Sequence, residues 1–238
     1  MKSTVVEIPF LNLGLSFIPV FLLFIVFYFW DLKWKSLVYA TARMLSQLLL
    51  IGYFLIFIFE LKNVFWTFLI VLTMLVISAW IALYSIHEQR TKKIMHCILS
   101  MLLGAFPVLI LVTAVVIPSE FEWYRPSFLI PLTGMVFSNS MNTIGIAAER
   151  FRTEVKNNEN YKEARRSALS AALIPQINSF FAVGLVALPG MMTGQILSGV
   201  DPLIAVRYQI VVMTMVMGGG GLSAAVFLTL SSPREKTV

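Results

Sequence analysis

The sequence predicts an all-α integral membrane protein, one domain over residues 1–238 that crosses the bilayer about seven times, with its N-terminus outside and its C-terminus in the cytoplasm. Three observations carry that prediction. The chain is 58% hydrophobic and only 13% charged, whereas a soluble domain carries roughly a quarter charged residues. Its apolar residues fall in blocks close to the ~20 residues a helix needs to cross roughly 30 Å of hydrocarbon. Its Lys and Arg side chains gather on one side of the resulting layout.

The first block runs from Phe10 to Trp30. It is too long for a signal-peptide core, and it ends in an aromatic belt (Phe27, Tyr28, Phe29, Trp30) with no small-residue cleavage pattern after it, so it is expected to remain as a helix. The other spans are expected at Leu37–Phe59, Val64–Tyr84, Ile94–Ile117, Ser127–Ala148, Gln176–Val200 and Leu203–Leu230. Length and flanking charge define them, because a helix in lipid is apolar nearly all round. Within the sixth, Leu188-Pro189-Gly190 is a point where a span breaks or re-enters.

Charge sets the orientation. With the N-terminus outside, the inner side holds Lys33, Lys35, Arg43, Arg90, Lys92, Lys93, Arg150, Arg152, Lys156, Lys162, Arg165, Arg166, Arg234 and Lys236, 14 of the 18 basic residues. The outer side holds Lys2, Lys62, Arg125 and Arg207. The formal charge of +6 is thus directed at an anionic leaflet; membrane lipid is an expected partner and nucleic acid is not. A single Cys97 excludes an intrachain disulfide and a cysteine metal cluster.

The longest loop, Glu149 to Arg166, is expected in the cytoplasm and mixes six basic with four acidic residues. In its second half Tyr161, Ala164, Ala168 and Ala172 recur at helical spacing, which predicts a short surface helix that Pro175 stops or kinks.

No catalytic set is present. The chain has no Gly-x-x-x-x-Gly-Lys-Ser/Thr phosphate loop, so it does not hydrolyse ATP by itself. His87 and His96 lack metal-site spacing and suit interfacial polar positions better. The fifth span places Met135, Asn139, Asn142 and Thr143 on one face. Such a face either lines a pathway or bonds a neighbouring helix. The sixth carries Gly190, Gly194 and Ser198 as a small-residue stripe suited to packing, with Met191, Met192 and Gln195 as alternative substrate contacts. In the seventh, Met213, Met215 and Met217 do not share a helical face. They precede Gly218, Gly219, Gly220 and Gly221, each costing about 1 kcal/mol of helix propensity. A hinge or a very close helix contact explains four glycines in a row. Arg43 can snorkel to the inner surface, and Asp201 and Arg207 are placed to pair at the outer turn.

Leu188-Pro-Gly-Met-Met-Thr-Gly194, then Gly199-Val-Asp-Pro202 and Arg207-Tyr-Gln-Ile210, resemble the FetB (YbbM-type) family of ABC-transporter permeases. Ala168-Leu-Ser-Ala-Ala-Leu-Ile-Pro175, the Pro131/Gly134-Met135/Asn139 pattern and Ala42-Arg43 with Gln47 and Ile51-Gly52-Tyr53 add to the resemblance, which spans about residues 40 to 230 in order. It departs from the family in a shorter loop at Asn157–Glu163 and in the four glycines. The resemblance implies metal-ion export, notably of iron, by a membrane-spanning subunit that is not itself an enzyme. It implies no cofactor in this chain, a cytoplasmic ABC ATPase subunit that binds ATP, and a second copy of the chain as partners. From the polar face of the fifth span, the patterned loop and the glycine run, the transport pathway is expected at Met135, Asn139, Asn142, Met191, Met192 and Gln195, ATPase coupling at Tyr161, Glu163, Arg165 and Arg166, and the hinge at Gly218–Gly221. An ATPase-independent transporter or channel, or a non-transporting immunity or regulatory protein, are the alternatives.

Overall fold

The computed structural model describes residues 8–60, 64–117 and 124–232. The basic residues Lys2, Lys62, Arg234 and Lys236 lie outside them. The described residues are predominantly helical, with no strand beyond one isolated bridge, Val183 to Ala187. Five runs are long and apolar enough to cross a membrane: Phe10–Phe29, Trp34–Phe54, Val64–Ala82, Arg90–Val116 and Pro202–Leu230.

The chain forms two compact units, Met1–Leu61 and Lys62–Val238. The first contains α1 (Phe10–Leu15), α2 (Ile18–Phe29) and α3 (Trp34–Glu60). The expected first span is interrupted at Ser16-Phe17 because Pro19 has no N–H for the Leu15 carbonyl and its ring crowds that oxygen. At the break the Ser16 hydroxyl donates to the Leu13 carbonyl at 2.7 Å. Asp31, at φ 52°, turns the chain into α3, and Phe24 meets Trp34 edge to face at 5.5 Å. No residue of α1 or α2 is buried.

The second unit holds α4 (Val64–Ala82), α5 (Arg90–Leu111), α6 (Pro126–Lys156), α7 (Tyr161–Ala182), α8 (Gly190–Leu197) and α9 (Pro202–Leu230). A single π turn, Val112–Val116, closes α5. The core lies between α5, α6 and α9, with α4 and α7 packed against α6. Helices approach closely wherever side chains are small: Ala79, Ala105, Ala147, Ala164, Ala168, Ala205 and Ala224 are all completely buried. At the tightest crossing a Cβ placed on Gly104 of α5 would lie 2.6 Å from the Ser223 Cα of α9. Without a hydrophobic drive between helices in lipid, such contacts supply the association energy.

The expected layout changes at the α6–α7 loop, at Pro175, in the sixth span and at Asp201. The longest loop is in fact a helical hairpin: α6 runs on to Lys156, α7 starts at Tyr161, and only residues 157–160 intervene. Asn158, at φ 61°, makes the turn, and the Asn160 side chain caps α7 by accepting from the Glu163 N–H at 2.9 Å. Pro175 neither stops nor ends α7, which continues to Ala182 and loses only the bond to the Ala171 carbonyl. The expected sixth span is not one helix. It comprises the end of α7, a turn at Val183–Pro189 built on Gly184 at φ 86°, and the short α8. α8 ends in a Schellman cap, with the Val200 N–H on the Gln195 carbonyl at 3.0 Å and Gly199, at φ 88°, on the Ile196 carbonyl at 2.9 Å. Asp201 then caps α9 by accepting from the Leu203 N–H at 2.8 Å, the role its carboxylate takes in place of the expected pairing with Arg207.

Candidate functional site

α6, α7, α8 and α9 surround a cavity of about 450 Å³. From α6 come Met135, Ser138 and Asn139; from α7, Pro175, Gln176, Ser179 and Phe180. The α7–α8 turn and α8 give Pro189 and Met191, and α9 gives Gln209, Val212, Met213, Val216 and Met217. A second cavity of about 320 Å³ shares Phe180, Pro189, Gln209 and Met213 with the first and adds Met192. Pro189, at the break between α7 and α8, borders both spaces.

The polar side chains of the wall are all neutral: the amides of Asn139, Gln176 and Gln209 and the hydroxyls of Ser138 and Ser179. Gln176 is only 7% exposed, and its Nε2 donates to the Asn139 Oδ1 at 3.2 Å and to the Thr143 Oγ1. That amide sits over Gly220: a Cβ there would lie 2.5 Å from the Gln176 Nε2 and 3.0 Å from the Thr143 Oγ1. Gly219 faces Val136 in the same way, at 2.8 Å from its Cγ1, while Gly218 and Gly221 meet their neighbours at ordinary separations of 3.8 and 3.5 Å. The four glycines lie inside an unbroken α9, and their geometry is that of a crossing surface for α5, α6 and α7.

Three buried amide oxygens have no hydrogen-bond partner among the described residues: Gln176 Oε1, Gln209 Oε1 and Gln195 Oε1. An unsatisfied buried acceptor costs about 1–3 kcal/mol. Gln176 and Gln209 are both cavity-lining, so their oxygens are placed for water or for a cation. Met213 and Met217 stand one turn apart on α9 and share a face with each other, unlike Met215, which is buried in the core. Among the described residues no group of three His, Cys, Asp or Glu is placed to hold a metal.

Of the pathway residues expected from sequence, Met135, Asn139 and Met191 meet in the first cavity and Met192 lines the second. Gln195 borders neither. Asn142 is exposed and borders neither cavity. On the Gly190, Gly194, Ser198 stripe, a Cβ added at either glycine meets nothing within 4 Å in this chain. Gln176, Gln209, Met213 and Met217 were not among the expected pathway residues. The available signal was the pair of glutamines, since an amide within an apolar span requires a polar partner.

At the opposite end of α7 the hairpin is tied down. The Tyr161 hydroxyl donates to the Leu228 carbonyl at 3.1 Å, and its ring meets Phe151 edge to face at 6.0 Å. Glu154 pairs with Arg150 at 2.6 Å and accepts from the Ser167 hydroxyl at 2.8 Å. Ala164, Ala168 and Ala172 bury one face of α7, leaving Glu163, Arg165 and Arg166 exposed, with Arg165 above the Tyr161 ring.

The chain matches the model of an uncharacterised protein family, UPF0014, over residues 10–234. It is 38% identical over 208 residues to the UPF0014 membrane protein slr1647 of Synechocystis, covering 78% of this chain and 80% of that one. It is 30% identical over 207 residues to the probable iron export permease protein FetB of Escherichia coli, covering 81% of this chain and 78% of that protein. It is 32% identical over 206 residues to the protein ALUMINUM SENSITIVE 3 of Arabidopsis thaliana, with 79% and 73% covered. No solved structure matches it.

Proposed function

Because the chain belongs to the UPF0014 family of multi-pass membrane proteins, we propose that it is the membrane-spanning permease subunit of an ABC transporter that exports a metal ion, iron by analogy with the name of its Escherichia coli relative. The observation that carries this reading is the cavity against the broken α7–α8 segment, where the Gln176 and Gln209 oxygens lack partners beside four thioethers, Met135, Met191, Met213 and Met217. Oxygens of this kind replace part of an ion's hydration shell. Thioethers add soft, weak ligation that lets the ion leave again. With no carboxylate in the wall, a divalent ion enters this apolar setting at lower cost than a trivalent one.

The chain has no phosphate loop, so the energy comes from a separate ATPase subunit. The docking element is the tip of the α6–α7 hairpin, with Tyr161, Glu163, Arg165 and Arg166. Two copies of the chain stand over two ATPase subunits. Each crosses seven times, the α7–α8 segment being the discontinuous sixth span, with 14 of 18 basic residues on the cytoplasmic side.

Two measurements test this. Affinity purification from native membranes should recover an ABC ATPase subunit; a chain that exports metal with none attached belongs to the ATPase-independent class. In cells loaded with iron, Gln209→Leu and Asn139→Leu should abolish efflux at unchanged membrane abundance, and normal efflux in both would remove the cavity from the pathway.

A further inference from the structure

A further pocket, separate from the two cavities above, lies at the other end of the bundle. About 230 Å³ is enclosed by Gln89, Lys93, Phe151, Arg152, Lys156 and Ser231, with Val155 at the edge. It has room for several water molecules, each of which takes about 30 Å³ in the liquid. Three of the lining side chains are cations and none is a carboxylate. The sole ion pair given to these cations among the described residues is Arg152 with Glu88, which does not line the pocket. Lys93 is half-buried and lies over the rings of Phe151 and Phe227, at 5.8 and 5.9 Å.

Two further groups are left over at the same place. The Arg152 Nε and the Ser231 Oγ are buried without a hydrogen-bond partner among the described residues, and Ser231 as a whole is 9% exposed. An N–H donor, a hydroxyl and two ammonium groups, Lys93 and Lys156, thus converge on one small volume. Like charges held together in a partly buried pocket raise each other's energy unless an anion joins them. The anion that uses several donors at once is a phosphate group, with oxygens for charge-assisted hydrogen bonds. Basic pockets between helices at a membrane surface take lipid headgroups by this chemistry.

We propose that this pocket binds a phosphate group, held by Lys93, Lys156, the Arg152 Nε and the Ser231 hydroxyl. The group is carried by an anionic phospholipid or is free in solution. The proposal is independent of the transport reading, because its readout is binding and not efflux.

The test is the thermal midpoint of the purified full-length chain in detergent, titrated with phosphatidylglycerol, phosphatidylcholine or inorganic phosphate. Phosphatidylglycerol at a hundredfold excess over its Kd should raise the midpoint by about 5 °C, and phosphatidylcholine should not. Lys93→Gln and Lys156→Gln should each remove most of the rise, while Lys92→Gln, exposed and outside the pocket, should keep it. Lys156 is itself exposed, so its variant should fold even if the Lys93 variant does not. A rise with phosphatidylglycerol alone assigns the headgroup, and the same residue-dependent rise with inorganic phosphate assigns the free anion; either supports the site. No rise with any phosphate source, or an equal rise in all four proteins, overturns it.

Discussion

Single alanine substitutions across Gly218–Gly221 separate a packing surface from a hinge, because the added methyl meets a different neighbour at each position. At Gly218 and Gly221 the methyl falls 3.8 Å from Val108 and 3.5 Å from Leu173. Those contacts are ordinary, so each variant should gain up to about 1 kcal/mol of helix stability. At Gly219 the methyl would lie 2.8 Å from the Val136 Cγ1, a β-branched and fully buried side chain. Overpacking there costs about 1–3 kcal/mol, enough to outweigh the helix gain. At Gly220 the methyl displaces the Gln176 amide, whose two hydrogen bonds are worth about 0.6 kcal/mol each in a membrane protein. The loss of about 1.2 kcal/mol nearly cancels the gain, so Gly220→Ala should be close to wild type in stability yet lose transport with its cavity wall. A hinge predicts another pattern: Gly218→Ala and Gly221→Ala would slow the cycle although they are the more stable proteins. Thermal unfolding of the purified chain and metal efflux in cells read the two quantities. Full transport in Gly220→Ala together with unchanged stability in Gly219→Ala would refute the packing account.

Replacing Arg165 and Arg166 by Glu should lower stimulation of the partner ATPase several-fold while leaving membrane insertion intact, since both side chains are exposed at the hairpin; full stimulation in the double variant would move the docking site elsewhere. For topology, Glu159→Cys in a Cys97→Ala background should react with an impermeant maleimide only after the membrane is opened. Glu159 is preferable to Asn158, whose positive φ of 61° disfavours a cysteine. Labelling from intact cells would invert the assigned orientation.

The membrane class was legible because length and hydropathy report directly on the solvent the helix faces. The hairpin was legible in one respect: the spacing of Tyr161, Ala164, Ala168 and Ala172 marks the buried face of α7 correctly. Its extent was not, because six basic and four acidic residues suggest a solvated loop, although helices continue past the bilayer on such residues through pairs like Arg150–Glu154. Pro175 does not end the helix, since one lost bond is tolerated when small residues pack α7 against α6. Pro189-Gly190 was the reliable breaker, as Pro189 starts a new helix there instead of interrupting one. The cavity was half legible. Asn139 declares itself as an amide in an apolar run, but the value of Gln176 and Gln209 depends on which helices meet, and spacing along one helix carries no record of that.

The Tyr161–Leu228 bond has a mechanical consequence. Its acceptor is one of the last carbonyls of α9, left without an intrahelical donor by the end of that helix. From Leu228 to Gln209 is nineteen residues of unbroken helix, about 28 Å at 1.5 Å per residue. α9 is therefore a strut, fastened at one end to the first residue of α7 and bearing at its other end a wall of the cavity. The hairpin tip is thus joined directly to α9, and no loop intervenes between Leu228 and Gln209.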